Sequence, residues 1–209
     1  MNRINCEVEP IKSMNMKSIK LYTDTKALIF DLDGTLADTM PLHFEAWKKA
    51  AEVMGVEYSF EWLSACAGMP SSKIIEKLNK EYNHSIDPQE FSVIKEEFFA
   101  REMHKITEIK PVTDLVYKYH NQIPMAVGTG GKRNIAQETM EILGLDKYIP
   151  ILVSADDVNN HKPEPETFLK CAELMGVDPK FCQVFEDGLL GIQAAETAGM
   201  MVTDVTPYY

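Results

Sequence analysis

The sequence is poor in features that would staple, anchor or span. Four cysteines occur in 209 residues, Cys6, Cys66, Cys171 and Cys182, with neither CxxC spacing nor the density of a disulfide-stapled secreted domain. They are expected to be reduced core thiols in a cytoplasmic protein. No apolar run reaches the roughly 18 residues of a membrane span. Residues 1–20 scatter Glu7, Glu9, Lys12 and Lys17 where a signal peptide would need a continuous apolar stretch. Basic residues are short as well: 21 Lys and Arg face 32 Asp and Glu, a formal charge of −11. That balance repels nucleic-acid backbones and anionic membranes, no local basic patch offsets it, and neither partner is expected. An anionic substrate would need positive charge built into its site, so a metal ion is expected. What is present, 45% hydrophobic and 25% charged residues, suffices for a sizeable core and excludes global disorder.

Short apolar runs bounded by turn chemistry read as buried parallel strands at residues 27–30, 124–127, 151–153, 183–185 and 200–202. Helical periods separate the later ones. Ile135, Met140 and Leu143 mark one face closed by Gly144; Phe168, Leu169, Ala172 and Met175 mark a second closed by Gly176; Ile192, Ala195 and Ala198 mark a third ending at Gly199. This alternation predicts an α/β fold with a doubly wound, Rossmann-like parallel sheet. The gap between the first strand and residue 124 is too long for one crossover. It holds helical patterns at about 43–54, 60–67, 71–82 and 87–106, which read as an α-helical cap inserted at residues 38–106 above the carboxyl ends of the strands. Residues 1–22 are then a loose N-terminal extension, and 23–37 with 107–209 form the core.

The acidic residues fall where such a sheet places ligands. Asp31 and Asp33 follow the first strand in Phe30-Asp31-Leu32-Asp33-Gly34-Thr35, and Glu186 and Asp187 follow the fourth, before Gly188. If both strands are central and parallel, four carboxylates converge, raise one another's pKa and require compensation. Hard oxygen ligands of this kind suit Mg²⁺. Val127-Gly128-Thr129-Gly130-Gly131 offers a hydroxyl and backbone N–H groups at the mouth of a helix, an anion cradle, and His161-Lys162-Pro163 supplies an inward Lys162. Four carboxylates, Mg²⁺ and Lys162 sum to −4 + 2 + 1 = −1, still unfavourable for a phosphate dianion. Protonating Asp33 brings the sum to zero and would make it a general acid, its backbone carbonyl remaining for the metal.

Together these motifs, with His161-Lys162-Pro163-Glu164-Pro165 and Gly191-Ile192-Gln193-Ala194-Ala195, resemble the haloacid dehalogenase superfamily of phosphatases, in the branch that holds β-phosphoglucomutase and small sugar-phosphate phosphatases. The stretch 124–130 is most similar to fructose-1-phosphate and 6-phosphogluconate type phosphatases. The resemblance implies that Asp31 is the nucleophile forming an aspartyl-phosphate, and that Asp33 is the acid and base. Mg²⁺ would be held by Asp31, the Asp33 carbonyl and Asp187, with Glu186 as an additional or supporting ligand. Thr129 and Gly130 would bind phosphoryl oxygens, Lys162 would bridge them to Asp31, and Thr35 would orient Asp33. In the cap, His43 is a candidate for contacting substrate or coupling closure, and Ser71 and Lys73 belong to the substrate-facing loop. Where the mutases carry a phosphate-clamping arginine this chain has Ser71, and Lys73 is a poor replacement for a bidentate guanidinium. Gly188 stands where a serine is more common, removing one hydroxyl beside the metal. The implied function is Mg²⁺-dependent hydrolysis of a small sugar phosphate by a monomer. A β-phosphoglucomutase is the alternative, and a phospho-accepting signalling domain a distant one.

Overall fold

A computed structural model describes residues 18–209. Five strands, β1 (Ala27–Phe30), β2 (Met125–Gly128), β3 (Ile151–Val153), β4 (Cys182–Glu186) and β5 (Met201–Asp204), form one wholly parallel sheet in the order β3-β2-β1-β4-β5. The two strands preceding acidic motifs are therefore neighbours at the centre. Phe30 pairs in register with Phe185 on one side and Val127 on the other, so Asp31, Glu186 and Gly128 leave the sheet level with one another. β1, β2 and β4 are buried along their whole length, which is why they read as continuous apolar runs rather than alternating ones.

Helices α5 (Lys110–Tyr119) and α6 (Arg133–Leu143) cover the face carrying Leu28, Phe30 and Val127. Helices α7 (Glu166–Met175) and α8 (Leu189–Thr197) cover the face carrying Ala27, Ile29 and Val184. The fold is doubly wound. Gly144 and Gly176 end α6 and α7 in the left-handed conformation, where a residue without Cβ is unstrained. Helix α5 was not anticipated. Its signal was Pro111 at the first turn followed by the buried positions Val112, Leu115 and Val116.

Between β1 and α5 lie α1 (Met40–Met54), α2 (Phe60–Ser64), α3 (Ser71–Tyr82) and α4 (Pro88–Glu102). The last helix stops short of the expected 106 because a 3₁₀ turn, Met103–Lys105, follows it. These helices bury a separate core around Trp47, Leu63, Ile75, Leu78 and Phe91. The two connections to the sheet run side by side: Asp38 N–H donates to Thr107 O at 2.9 Å and Ile109 N–H to Leu36 O at 2.9 Å. Cys66, Cys171 and Cys182 are buried free thiols, and Cys6 lies outside the described residues. Among the described residues no helix is long and apolar enough to cross a membrane.

The expected loose extension needs correction at its described end, residues 18–22; the rest lies outside the described residues. Ile19 is buried, and the side chain of Gln183 in β4 ties this segment down. Its Oε1 accepts from Tyr22 N–H at 3.0 Å and Thr25 Oγ1 at 2.8 Å, while Nε2 donates to Lys20 O at 3.2 Å and Thr203 Oγ1 at 2.9 Å. A buried amide satisfied four ways is costly to remove, since its partners lose water as well as the bond. Gln183→Ala is expected to lower unfolding free energy by about 2 kcal/mol in urea titrations and to release the amides of residues 18–25 in hydrogen exchange.

Candidate active site

Every strand-end motif meets at one edge of the sheet. Lys162 reaches in from the turn after β3 through a cis Lys162–Pro163 peptide and is 1% exposed. Its Nζ donates to Asp31 Oδ1 at 2.6 Å and to Glu186 Oε1 at 2.7 Å. The other Glu186 oxygen accepts from the Gly188 N–H at 2.6 Å, so this carboxylate is engaged on both sides and supports the cluster rather than facing the cleft. Asp187 lies beside them, and carboxylate oxygens of Asp31, Glu186 and Asp187 come within 4.8 Å of one another. Gly34 makes room for Asp187: its backbone is left-handed (φ +87°), and a Cβ there would stand 2.3 Å from Asp187 Oδ2.

One ammonium does not neutralise three carboxylates. Burial raises Asp31 well above the usual carboxylate range; Lys162 opposes this, and Glu186, Asp187 and Asp33 add to it. Asp187 is pushed up to about 7 by burial and then by Glu186, against the pull of Thr35 and Lys162. Lys162 shows the complement: burial disfavours its charge, but Asp31 and Glu186 outweigh burial and raise its pKa. Three hard oxygen donors around a single ammonium, two of them, Asp31 and Asp187, with raised proton affinity for want of positive charge, fit a small divalent cation, whose binding favours their ionised form.

Asp33, two residues from Asp31, sits in the opposite environment. Thr39 Oγ1 donates to its Oδ1 at 2.7 Å, and His43 Nε2 lies 3.1 Å from the same oxygen. Behind His43, Lys95 Nζ stands 2.8 Å from Nδ1. An ammonium can only donate, so Nδ1 accepts and Nε2 carries the hydrogen that reaches Asp33. The imidazole is fixed in one tautomer, stacked on Phe99 with ring centroids 4.1 Å apart. Burial would raise Asp33, yet His43, Thr39 and Lys95 together hold it down at about 2. Burial, then Lys95, lowers His43, and burial brings Lys95 down to about 8 against the pull of Asp33 and Glu96.

Two expectations are corrected here. Thr35 does not orient Asp33; its Oγ1 donates to Asp187 Oδ1 at 2.9 Å, and Thr39 takes the role assigned to it. The resting proton affinities run opposite to the expected protonated Asp33: the charge-stabilising donors converge on Asp33 and lower it, while burial and like charge raise Asp31 and Asp187.

Asp31, Asp33, His43, Thr129, Gly130 and Ser71 line a common cleft of about 120 Å³ between sheet edge and helical insertion. Thr129 Oγ1 accepts from the Gly131 N–H at 2.9 Å and lies 3.4 Å from Asp33 Oδ2. Lys73 is not among the cleft-lining residues: its Nζ is 2.9 Å from Glu76 Oε2, an exposed i,i+3 pair on α3. The Gly68 carbonyl of the insertion packs onto Gly130, standing 2.1 Å from where a Cβ would be. Lys95, Thr39, Glu96 and Lys132 were missed. Buried Lys95, at 6% exposure, has only a spacing signal, since it lies one turn before Phe99 on α4.

A family model for haloacid dehalogenase-like hydrolases matches residues 28–205. The fructose-1-phosphate phosphatase YqaB of Escherichia coli (strain K12) is 40% identical over 185 residues, 88% of this chain and 98% of its own length. A phosphorylated carbohydrates phosphatase of Thermotoga maritima is 32% identical over 177 residues, 84% of this chain and 82% of its own. Among solved structures, a β-phosphoglucomutase from Clostridium difficile superposes with a TM-score of 0.75 at 27% identity, covering 86% of this chain and 84% of that one.

The raised pKa values carry a pH signature. A carboxyl whose folded pKa exceeds its unfolded value stabilises at low pH, and for Asp187 this contribution is lost as pH rises from about 4 through about 7. His43 and His161, both held below the usual histidine range by burial, act in the opposite sense with or without cation. Comparing the two forms isolates the carboxylates: Mg²⁺ is expected to raise the melting temperature by several degrees more at pH 8 than at pH 5, read by differential scanning calorimetry.

Proposed function

The chain belongs to the haloacid dehalogenase-like hydrolases and is a sugar phosphatase, and from that premise we propose that it hydrolyses a small sugar phosphate of the fructose 1-phosphate kind, with Mg²⁺, through a phosphoryl group carried on Asp31. The observation that carries this reading is the contrast between Asp31 and Asp33, two carboxylates two residues apart facing one cleft in opposite electrostatic settings. Asp31, Asp187 and the Asp33 carbonyl would hold the cation, with Glu186 steadied behind them by Lys162. When bound, the cation supplies positive charge that ionises the carboxylates and offsets charge on the phosphoryl oxygens.

The remaining work falls to side chains. Lys162 fixes Asp31 by Oδ1, leaving Oδ2 to attack phosphorus, and withdraws charge from the phosphoryl group in the transition state. Thr129 Oγ1 and the Gly130 N–H bind phosphoryl oxygens beside it. As the Asp31–phosphorus bond forms, the bond from phosphorus to the sugar oxygen breaks, and that oxygen takes a proton from Asp33. A phosphate dianion entering next to Asp33 raises its proton affinity from the low resting value, and Oδ2, the oxygen not held by Thr39 and His43, is where the proton sits. Asp33 then accepts a proton from the water that attacks phosphorus, the bond to Asp31 breaks, and phosphate leaves. Its resting state is ionised and so open to accept that proton, while the donors around it weaken its basicity. The helical insertion acts as a cap whose closure brings His43 and Lys95 onto Asp33.

A mutase needs a grip on a second phosphate. Ser71 supplies a hydroxyl and Lys73 is turned onto Glu76, so neither provides it, which favours hydrolysis. Asp31→Asn is expected to cut phosphate release from fructose 1-phosphate more than about a thousandfold with unchanged circular dichroism; near-normal turnover would exclude the covalent route. Gly130→Ala is expected to lower kcat/KM by about tenfold or more, because the Gly68 carbonyl must retreat and the cap no longer seats.

A further inference from the structure

The charged groups lining the cleft beyond the acid, base and nucleophile are few. Lys95 is committed to His43. The remaining two are Lys132, at the start of α6 just beyond the Thr129-Gly130-Gly131 turn, and Glu96 on α4 of the cap. They pair across the cleft, Lys132 Nζ to Glu96 Oε1 at 2.7 Å, with side chains 37% and 20% exposed. The other walls are mostly apolar, among them Met40, Phe44, Trp47, Met69 and Ile135, with Ser71 and Ser72 at the rim. Apart from Lys95, which is buried behind His43, Lys132 is the one cation among the described residues lining this cleft, and it is already paired with a carboxylate from the opposite wall.

We propose that the Glu96–Lys132 pair sets the substrate class, selecting monophosphates of neutral sugars and rejecting phosphate esters that carry a second anionic group, whether carboxylate or phosphate. A second anion that draws Lys132 toward itself competes with Glu96, meeting that carboxylate's charge at close range and, where it displaces the pair, leaving a mostly buried carboxylate unpaired. A neutral polyol meets no such competition and can hydrogen-bond to the outer edges of both charges. Because the pair joins cap to core, an anion that breaks it also removes a contact that holds the cap closed. The inference deepens the phosphatase reading and rests on it.

The test compares kcat/KM for fructose 1-phosphate, 6-phosphogluconate and fructose 1,6-bisphosphate, each with Mg²⁺, in wild type, Glu96→Gln, Lys132→Met and the double variant. Wild type is expected to favour fructose 1-phosphate by about tenfold or more. Glu96→Gln frees the ammonium and should shift that ratio toward the two charged substrates by about tenfold, chiefly through KM; the shift should vanish in Glu96→Gln/Lys132→Met. Lys132→Met alone should move the ratio the other way, since it leaves the carboxylate uncompensated. Equal use of neutral and charged substrates by wild type, or an unchanged ratio in Glu96→Gln, overturns the inference while leaving the phosphatase reading intact. Absence of phosphate release from all three esters overturns both.

Discussion

Like charges that cannot leave one another govern this molecule. Parallel pairing of β1 with β4 in fixed register delivers Asp31 and Glu186 to the same level of the sheet edge, with Asp187 one residue on. The backbone permits no escape, because β1 and β4 are the buried centre of the sheet. Lys162 compensates part of the charge, and its lack of solvent access makes the compensation strong. What it does not compensate appears as carboxyls held above the ordinary carboxylate range, Asp187 at about 7. A site of this kind carries a standing demand for positive charge, and small glycines beside it, such as Gly34, let the carboxylates sit closer than side chains would allow.

The second organising constraint is that the cap, not the core, determines the state of Asp33. Thr39 stands at the entry to the insertion, His43 on its first helix and Lys95 on its last, and all three act on one carboxylate oxygen or through one another. Two adjacent carboxylates are thereby driven apart in proton affinity, as acid and base pairs in active sites commonly are. The contacts that seat the insertion over the sheet edge are the same ones that complete the donors around Asp33.

Much of this was readable in advance, for physical reasons that differ by element. The central strands were visible because burial on both faces makes them unbroken apolar runs, and the glycine-terminated helices because Gly144 and Gly176 occupy left-handed positions. The strand-end carboxylates, Thr129 and Lys162 follow once those strands are placed. Thr35 and Thr39 exchanged expected partners because sequence spacing cannot tell which way a turn directs its hydroxyls. Lys95 and the Glu96–Lys132 pair were invisible since their partners lie on elements distant in sequence. Lys73 looked available until its neighbour one helical turn on, Glu76, claimed it.

The chemistry of this site rests on carboxylates whose raised proton affinity a bound cation must overcome. Calorimetric titration of the metal-free protein with Mg²⁺ at pH 6, repeated in buffers of different ionisation enthalpy, counts the protons displaced. With Asp187 held up at about 7, close to one proton should be released per Mg²⁺ bound. Binding with no proton release, or no binding at all, would contradict the account.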